Sequence, residues 1–210
     1  MIKFDNVSFS YDGTSVLSNF TMEAVQGRHV LVLGPSGSGK STILNLAAGL
    51  ISPSLGTVTI ADQTITGMNS GKLDQFRGKT IGIIFQQLHL LQTLSVKQNL
   101  LAAQYLAGEK QQPERVSAIL ERLELKGLEQ RKPAELSYGQ QQRVSIGRAL
   151  MNKPRVILAD EPTSSLDDAN AERVVALLKE QANLENATLL IATHDQRVRD
   201  HFDNPVEISA

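Results

Sequence analysis

The sequence predicts an α/β fold, in which a mainly parallel β-sheet follows an antiparallel β subdomain and is interrupted by an inserted lobe of helices. The first observation behind this prediction is a set of short apolar runs, which are typical of parallel strands buried on both faces. They lie at residues 29–33, 80–85, 156–159 and 188–193. The second is a change to helical spacing of the apolar residues beyond residue 86.

The N-terminal region has the pattern of half-exposed strands. Apolar residues at positions 2, 4, 7 and 9 indicate one strand, and residues 16–24 form a second extended segment after a turn at residues 11–14. Residues 57–61 alternate between apolar and polar side chains and indicate a third strand. We therefore expect the antiparallel subdomain to occupy the start of the chain.

Three amphipathic helices are predicted in the middle of the chain, at residues 95–107, 113–125 and 140–152. Pro113 suits the first position of a helix, and Gly127 is expected near the end of the same helix. A further helix is predicted at residues 171–183. We expect one domain over residues 1–210, with a core formed by residues 1–86 and 155–210 and a helical lobe at about residues 87–154.

The most informative segment, residues 34–42, lies between an apolar strand and a helical pattern. It has the spacing of a phosphate-binding loop, whose glycines let backbone N–H groups point inward at the start of a helix. Lys40 can reach the β- and γ-phosphates, and the Ser41 hydroxyl can bind Mg²⁺. A Gly/Ser-rich turn that matches by chance is disfavoured by the strand and helix on either side. We predict a P-loop NTPase core whose nucleotide-binding residues include Gly34, Pro35, Ser36, Gly37, Ser38, Gly39, Lys40, Ser41 and Thr42.

Two carboxylates follow the apolar strand at residues 156–159. In phosphate-loop enzymes an aspartate at this position supports Mg²⁺, which is the role expected of Asp160. Glu161 is then placed to polarise the attacking water as a general base. The alternative is a solvated acidic turn, which the presence of a phosphate loop makes the weaker interpretation.

Three more polar positions lie where a ligand could be contacted. His194 ends an apolar strand and can hydrogen-bond a γ-phosphate or position water, although a structural histidine is the alternative. Gln86 also follows a strand, and its amide can reach Mg²⁺ or the attacking water. Ser137 is a candidate N-cap of a helix, which is an ordinary feature but also offers N–H donors to an anion. Because the chain already has one phosphate cradle, this second helix start suggests that two copies share each nucleotide.

The composition excludes several classes of site. The formal net charge of -1 gives no overall basic character, so no nucleic-acid partner is expected. The chain has no cysteine, which excludes disulfides, thiolate metal sites and cysteine nucleophiles. Its first residues lack the layout of a signal peptide, and no run approaches the roughly 18 apolar residues of a membrane span. We therefore expect a protein that is soluble by itself and reaches a membrane only through a partner.

Taken together and in order, these residues resemble the ATP-binding subunit of ATP-binding-cassette (ABC) transporters over essentially the whole chain. The resemblance adds Tyr11 as the aromatic residue that stacks on adenine. It also identifies Gln86 as the Q-loop, residues 164–167 as the D-loop and His194 as the switch histidine. The signature motif corresponds to residues 136–140, of which the resemblance assigns three to nucleotide binding: Ser137, Gly139 and Gln140. Residues 90–100 and 106–108 resemble the lipoprotein-releasing and macrolide-export group.

This resemblance implies an ATPase that uses ATP and Mg²⁺. The implied metal ligands are Ser41, Gln86 and Asp160, and the implied catalytic residues are Glu161, His194 and Gln86. Two copies would form a head-to-tail homodimer that closes on ATP binding and reopens on hydrolysis.

The implied partner is a transmembrane permease that is not part of this chain. The ATPase would work on the cytoplasmic face of the bacterial inner membrane and drive export or extraction of a hydrophobic or envelope-associated substrate. The alternative is a regulatory ABC ATPase that signals through a membrane partner to cell-wall enzymes without transport.

The chain departs from the family pattern at three places. Tyr138 replaces the usual first glycine of the signature motif, and Ser165 replaces the usual alanine of the D-loop. The tail at residues 201–208 lacks the usual closing hairpin with Asp-Gly, so we expect abbreviated last strands. Because Ser137 and Gly139 remain, we expect activity to survive the change at Tyr138.

Overall fold

The computed structural model describes residues 1–164, 166–203 and 205–208. Ser165, which the sequence places in the predicted D-loop, lies outside these ranges. The strands in chain order are β1 (Ile2–Tyr11), β2 (Thr14–Ala24), β3 (His29–Leu33), β4 (Leu55–Ile60), β5 (Gln63–Thr64), β6 (Ile81–Ile84), β7 (Val156–Asp160), β8 (Thr188–Thr193) and β9 (Val206–Glu207). The α-helices are α1 (Lys40–Ala47), α2 (Ser70–Thr80), α3 (Val96–Leu106), α4 (Pro113–Arg122), α5 (Tyr138–Leu150) and α6 (Asp168–Leu184). Short 3-10 helices cover Pro133–Glu135 and Gln196–His201.

The antiparallel sheet has the strand order β2-β1-β4-β5 and contains the three strands predicted near the N-terminus. Strands β1 and β2 form a hairpin whose two-residue turn, Asp12 and Gly13, has positive φ angles of 45° and 81°. This turn geometry matches the right-handed twist of the paired strands. A register shift between Phe4 and Val7 marks a bulge, which allows both of these buried side chains to face the core although they are three residues apart.

The second sheet has the strand order β6-β7-β8-β3-β9, and all of its neighbouring strands are parallel. Its central strands are covered on both faces, because successive residues of β7 belong to different hydrophobic clusters. Val156 and Leu158 pack with α1 and the antiparallel sheet, whereas Ile157 and Ala159 pack with α6 and the helices between β6 and β7. Burial on both faces explains why these strands appear in the sequence as continuous apolar runs.

The sequence and the structure differ at several helix boundaries. Helix α5 begins at Tyr138 and not at residue 140, because the Ser137 side chain accepts a hydrogen bond from the Gln140 N–H and caps the helix there. Helix α4 ends at Arg122, earlier than the predicted end at residue 125, and both Glu124, with φ of 56°, and Gly127, with φ of 86°, follow it in the left-handed region. Within residues 205–208 of the tail, which the structure describes, the strand β9 has two residues, in keeping with the predicted abbreviation.

Helix α2 has no counterpart among the sequence predictions. It contains no buried residue, so it lacks the apolar stripe on which helix prediction depends. Asn69 starts it by accepting a hydrogen bond from the Lys72 N–H. In the ranges that the structure describes, no helix combines the length and the hydropathy needed to cross a membrane.

Candidate active site

A cleft of about 370 Å³ lies at the carboxyl ends of β3, β7 and β8. Ligands bind in α/β sheets at this edge of the parallel strands. Most of the predicted nucleotide-binding and catalytic residues line it: Tyr11, Ser36, Gly37, Gly39, Lys40, Ser41, Thr42, Gln86, Glu161 and His194. Three predicted loop residues do not line it, namely Gly34, Pro35 and Ser38.

The phosphate loop delivers free backbone donors to this cleft. Helix α1 begins at Lys40, and Gly39, with φ of 95°, stands at its N-cap without a side-chain cap. The N–H groups of the first turn are therefore available to an anion. Gly37 has φ of 85° and open space where a Cβ would lie, so the loop can approach a phosphate closely. These features fit a nucleotide phosphate chain.

Lys40 lies across the loop with its ammonium group buried. Its Nζ donates hydrogen bonds to the carbonyl oxygens of Gly34 and Pro35, at 2.9 and 2.8 Å. The same nitrogen lies 3.7 Å from Oε1 of Glu161. The positive charge is thus held between the loop and the Glu161 carboxylate, where it can stabilise a phosphate anion.

Gly34 begins the loop in a crowded place next to the end of the chain. A Cβ at this position would lie 2.5 Å from the Ile208 carbonyl oxygen and 2.5 Å from the Ser38 hydroxyl. The Ile208 N–H donates to the Leu33 carbonyl oxygen, which holds the tail against the loop. Close backbone approach therefore requires glycine here.

Ser41 and Asp160 form the predicted metal site. The Ser41 hydroxyl donates to Oδ1 of Asp160 at 3.2 Å, so the two oxygen ligands are already adjacent. Burial raises the pKa of the Asp160 carboxyl above its usual value. Across the described residues, no three histidine, cysteine or acidic side chains converge as a metal centre. A hydroxyl and one carboxylate suit Mg²⁺, which binds few protein ligands and takes the remainder from phosphates and water.

Glu161 is held by several contacts at the end of β7. Its φ of 47° lies in the left-handed region, and its N–H donates to the Ala192 carbonyl oxygen at 2.8 Å. The Thr193 hydroxyl donates to Oε2 at 2.7 Å, and Nδ1 of His194 lies 2.9 Å from Oε1. A left-handed conformation is unfavourable for a residue other than glycine, and it persists only where the surrounding contacts hold it. The carboxylate is therefore oriented for a chemical role.

Thr193, Thr163 and Asp195 are site residues that sequence reasoning missed. The Thr163 hydroxyl, fully buried, donates to Oδ2 of Asp195 at 2.8 Å and joins the loops that follow β7 and β8. Thr193 and Asp195 flank His194 in the sequence, and this adjacency is the signal that could have found them.

Ser137, Gly139 and Gln140 lie apart from the phosphate loop. Tyr138 and Gly139 line a different cleft, of about 930 Å³, together with Leu166 and Asp167 before α6. The Ser137 N–H donates to the Gln140 side chain at 3.0 Å, so these two residues form a reciprocal cap at the start of α5. None of the residues that line this cleft lines the phosphate cleft. The predicted nucleotide-binding residues of one chain thus fall into two groups.

Comparison with known proteins decides between the possible NTPase families. The family model described as ABC transporter matches residues 17–164. The chain belongs to the ABC transporter family. This membership confirms the resemblance seen in the sequence, and it identifies the chain as an ATPase that binds ATP with Mg²⁺.

Two kinds of curated ABC protein are among the relatives of this chain. The lipoprotein-releasing system ATP-binding protein LolD of Legionella pneumophila is 39% identical over 92% of this chain and 87% of its own length. The macrolide export ATP-binding/permease protein MacB of Chromobacterium violaceum is 43% identical over 94% of this chain. This chain spans about a third of that longer protein, 31% of its length.

A solved ABC cassette confirms the predicted fold class. The ATP-binding cassette MJ0796, described as a dimeric post-hydrolysis state bound to ADP and Pi, matches with a TM-score of 0.87. It is 32% identical, and the match covers 99% of this chain and 94% of that one.

Proposed function

We propose that this chain is the motor subunit of a membrane transporter and that two copies enclose ATP between them. The observation that carries this proposal is the separation of the two helix starts that we expect to bind anions. The start of α1 faces the phosphate cleft, whereas the start of α5, with Ser137 exposed, faces another part of the surface. A head-to-tail pair of copies would bring each α5 start onto the nucleotide held by the other copy. The dimeric MJ0796 cassette supports this arrangement.

The roles within one half-site follow from the contacts described above. Glu161 is the general base, since its carboxylate is largely buried at the edge of the cleft and oriented by Thr193. His194, whose side chain is 57% exposed, can leave Glu161 and donate to the terminal phosphate. Gln86 is exposed at the cleft and can contact water or the metal. When bound to Ser41 and Asp160, Mg²⁺ neutralises charge on the phosphates.

Replacing Ser137 with arginine tests the shared site. We expect the ATPase rate to fall by about 100-fold, because a bulky cation would replace an anion-binding helix start that acts on charge developing in the reaction. Binding of a fluorescent ATP analogue to the monomer should change by less than about twofold, since the phosphate cleft is separate. Steady-state phosphate release and fluorescence titration measure the two quantities.

Asn69→Arg is the matched control, because it also removes an exposed helix cap but lies at α2 and outside both clefts. We expect its ATPase rate to equal that of the parent. If Ser137→Arg were as active as the parent, and the parent hydrolysed ATP at full rate as a monomer, the chain would be a stand-alone ATPase and the proposal would be wrong.

The proposed membrane partner docks in a groove of about 510 Å³ between α2 and β6 on one side and α3 and α5 on the other. Its lining includes Leu50, Phe85 and Leu106, and Leu106 is 79% exposed. An exposed apolar groove of this kind marks a protein interface. We assign residues 87–154 as the helical lobe that carries movement from this groove to the α5 start, and residues 1–86 and 155–210 as the core.

Leu106→Glu is expected to lower recovery of the membrane partner by about tenfold or more, since it places a charge in the centre of an apolar interface. The measurement is co-purification of a polytopic membrane protein with the tagged chain in mild detergent. The ATPase rate of the isolated variant should remain that of the parent.

Leu184→Glu is the control, because Leu184 is also exposed but lies at the end of α6, outside the groove. Equal recovery of the partner with both variants would refute this docking site.

The substrate class follows from the named relatives, LolD and MacB. We propose that the complex, on the cytoplasmic face of the inner membrane, exports or extracts a hydrophobic or envelope-associated molecule. Reconstitution of the chain with its partner in vesicles tests this step. ATP-dependent movement of such a molecule supports it, whereas ATP turnover without movement would indicate a regulatory ATPase that signals to cell-wall enzymes.

A further inference from the structure

A cluster of charged groups directly after His194 joins three segments of the chain. Asp195 accepts from the buried Thr163 hydroxyl, and both of its carboxylate oxygens accept from Arg197. The distances are 2.8 Å from Nε of Arg197 to Oδ1 and 2.8 Å from Nη2 to Oδ2. These hydrogen bonds from Arg197 lower the pKa of Asp195 to about 2, so the pair is charged at neutral pH.

The remaining arm of the Arg197 guanidinium extends to the segment before α6. Its Nη1 donates to the Leu166 carbonyl oxygen at 3.2 Å and to Oδ1 of Asp168 at 2.6 Å. Leu166 and Asp167 line the larger cleft together with Gly139, whereas His194 lines the phosphate cleft. The Arg197 guanidinium therefore connects the segment before α6 with the segment that follows His194. In the proposed dimer these two segments lie beside different nucleotides.

The local structure does not depend on Arg197 for its packing. The arginine side chain is 40% exposed, and the 3-10 helix that carries it is anchored by the buried side chains of Val198 and Phe202. A bidentate pair within a charge network is an exception to the small effect of surface ion pairs, so Arg197 also contributes to local stability. Its planar fork in addition imposes a defined geometry on the groups that it contacts.

We infer that Arg197 is a positioning residue that holds residues 166–168 in register with His194, so that closure around one nucleotide is transmitted to hydrolysis at the other. Asp195 and Thr163 complete the connection to the loop that carries Glu161. This inference rests on the proposed two-copy ATPase and adds a coupling device to it. Arg197 itself lines neither cleft.

Arg197→Ala is expected to lower kcat by about tenfold, because small misplacements at a catalytic site are costly. The Hill coefficient for ATP should fall to about 1, since the two sites lose their coupling. The dissociation constant for ATP should stay within about twofold of the parent, because the phosphate loop is untouched. A merely structural residue would not produce this separation of kcat and cooperativity from binding.

Two companion variants sharpen the test. Arg197→Lys retains the charge but cannot reproduce the fork, so its kcat should lie within about twofold of that of Arg197→Ala. Arg199→Ala removes a neighbouring arginine of the same 3-10 helix, which pairs with Glu207, and should behave as the parent. Thermal unfolding midpoints of all three variants verify that the fold is retained.

The outcomes separate this inference from the proposed function. A cooperative parent together with an Arg197→Ala variant of unchanged kcat and Hill coefficient would overturn the inference alone. Restoration of the parent values by lysine, or an equal loss in Arg199→Ala, would also overturn it. A parent that hydrolyses ATP without cooperativity and without forming a dimer would refute the proposed function, and this inference with it.

Discussion

Glu161→Gln is expected to lower the ATPase rate by at least about 100-fold, the range over which general-base catalysis acts. The amide has nearly the shape of the carboxylate, but it cannot accept a proton from the attacking water. Its carbonyl oxygen can still accept from the Thr193 hydroxyl, which lies 2.7 Å from Oε2 in the parent. The substitution therefore removes the proton acceptor but keeps the contact with Thr193.

The same variant should accumulate as an ATP-bound dimer, since closure is retained and the hydrolysis that reopens it is lost. Sedimentation velocity with ATP and Mg²⁺ measures this state, and phosphate release measures turnover. Glu23→Gln, at an exposed position of β2, is the control and should behave as the parent. Hydrolysis at the parental rate by Glu161→Gln would show that another group activates the water.

The parts of the fold that were predictable from the sequence are those with local patterns. Strands β7 and β8 appear as continuous apolar runs because both of their faces are buried. The phosphate loop is recognisable because the positions of its glycines, Lys40 and Ser41 are set by the local backbone conformation of only nine residues. Helix α2 could not be predicted in the same way, since its partly buried Leu73 and Phe76 are too few to give an apolar period.

The candidate site also has a part that was predictable from local sequence patterns and a part that was not. Asp160, Glu161 and His194 could be proposed from their positions after apolar strands. The hydrogen bond between Thr193 and Glu161 could not, because it depends on the register that pairs Asp160 with Ala192 across two strands. Contacts between residues that are about 30 positions apart are decided by tertiary structure, which a single sequence does not display.

Arg115→Ala is expected to lower the free energy of unfolding by about 3 kcal/mol, the effect of breaking a buried ion pair by removing one partner. Arg115 lies in α4 and joins the ends of two other helices. It donates to the carbonyl oxygens of Leu150 and Met151, at 2.6 and 2.8 Å, and its guanidinium lies 3.0 Å from Oε2 of Glu185. The side chains of Arg115 and Glu185 are only 11% and 7% exposed. Alanine would remove all three contacts at a largely buried site, and there the Leu150 carbonyl oxygen would lose its hydrogen bond from Arg115.

Arg122→Ala is the matched control, because Arg122 contacts the other oxygen of Glu185, also at 3.0 Å, but its side chain is 28% exposed. Water can replace this partner, so the loss should stay below about 1 kcal/mol. Denaturant unfolding of both variants, with the midpoint and slope fitted together, measures the difference. Because Arg115 connects the lobe to the end of α6 in the core, we also expect its removal to loosen the lobe before the core unfolds. Equal losses for the two arginines would show instead that the charge near Glu185, and not the buried hydrogen bonds to α5, stabilises this junction.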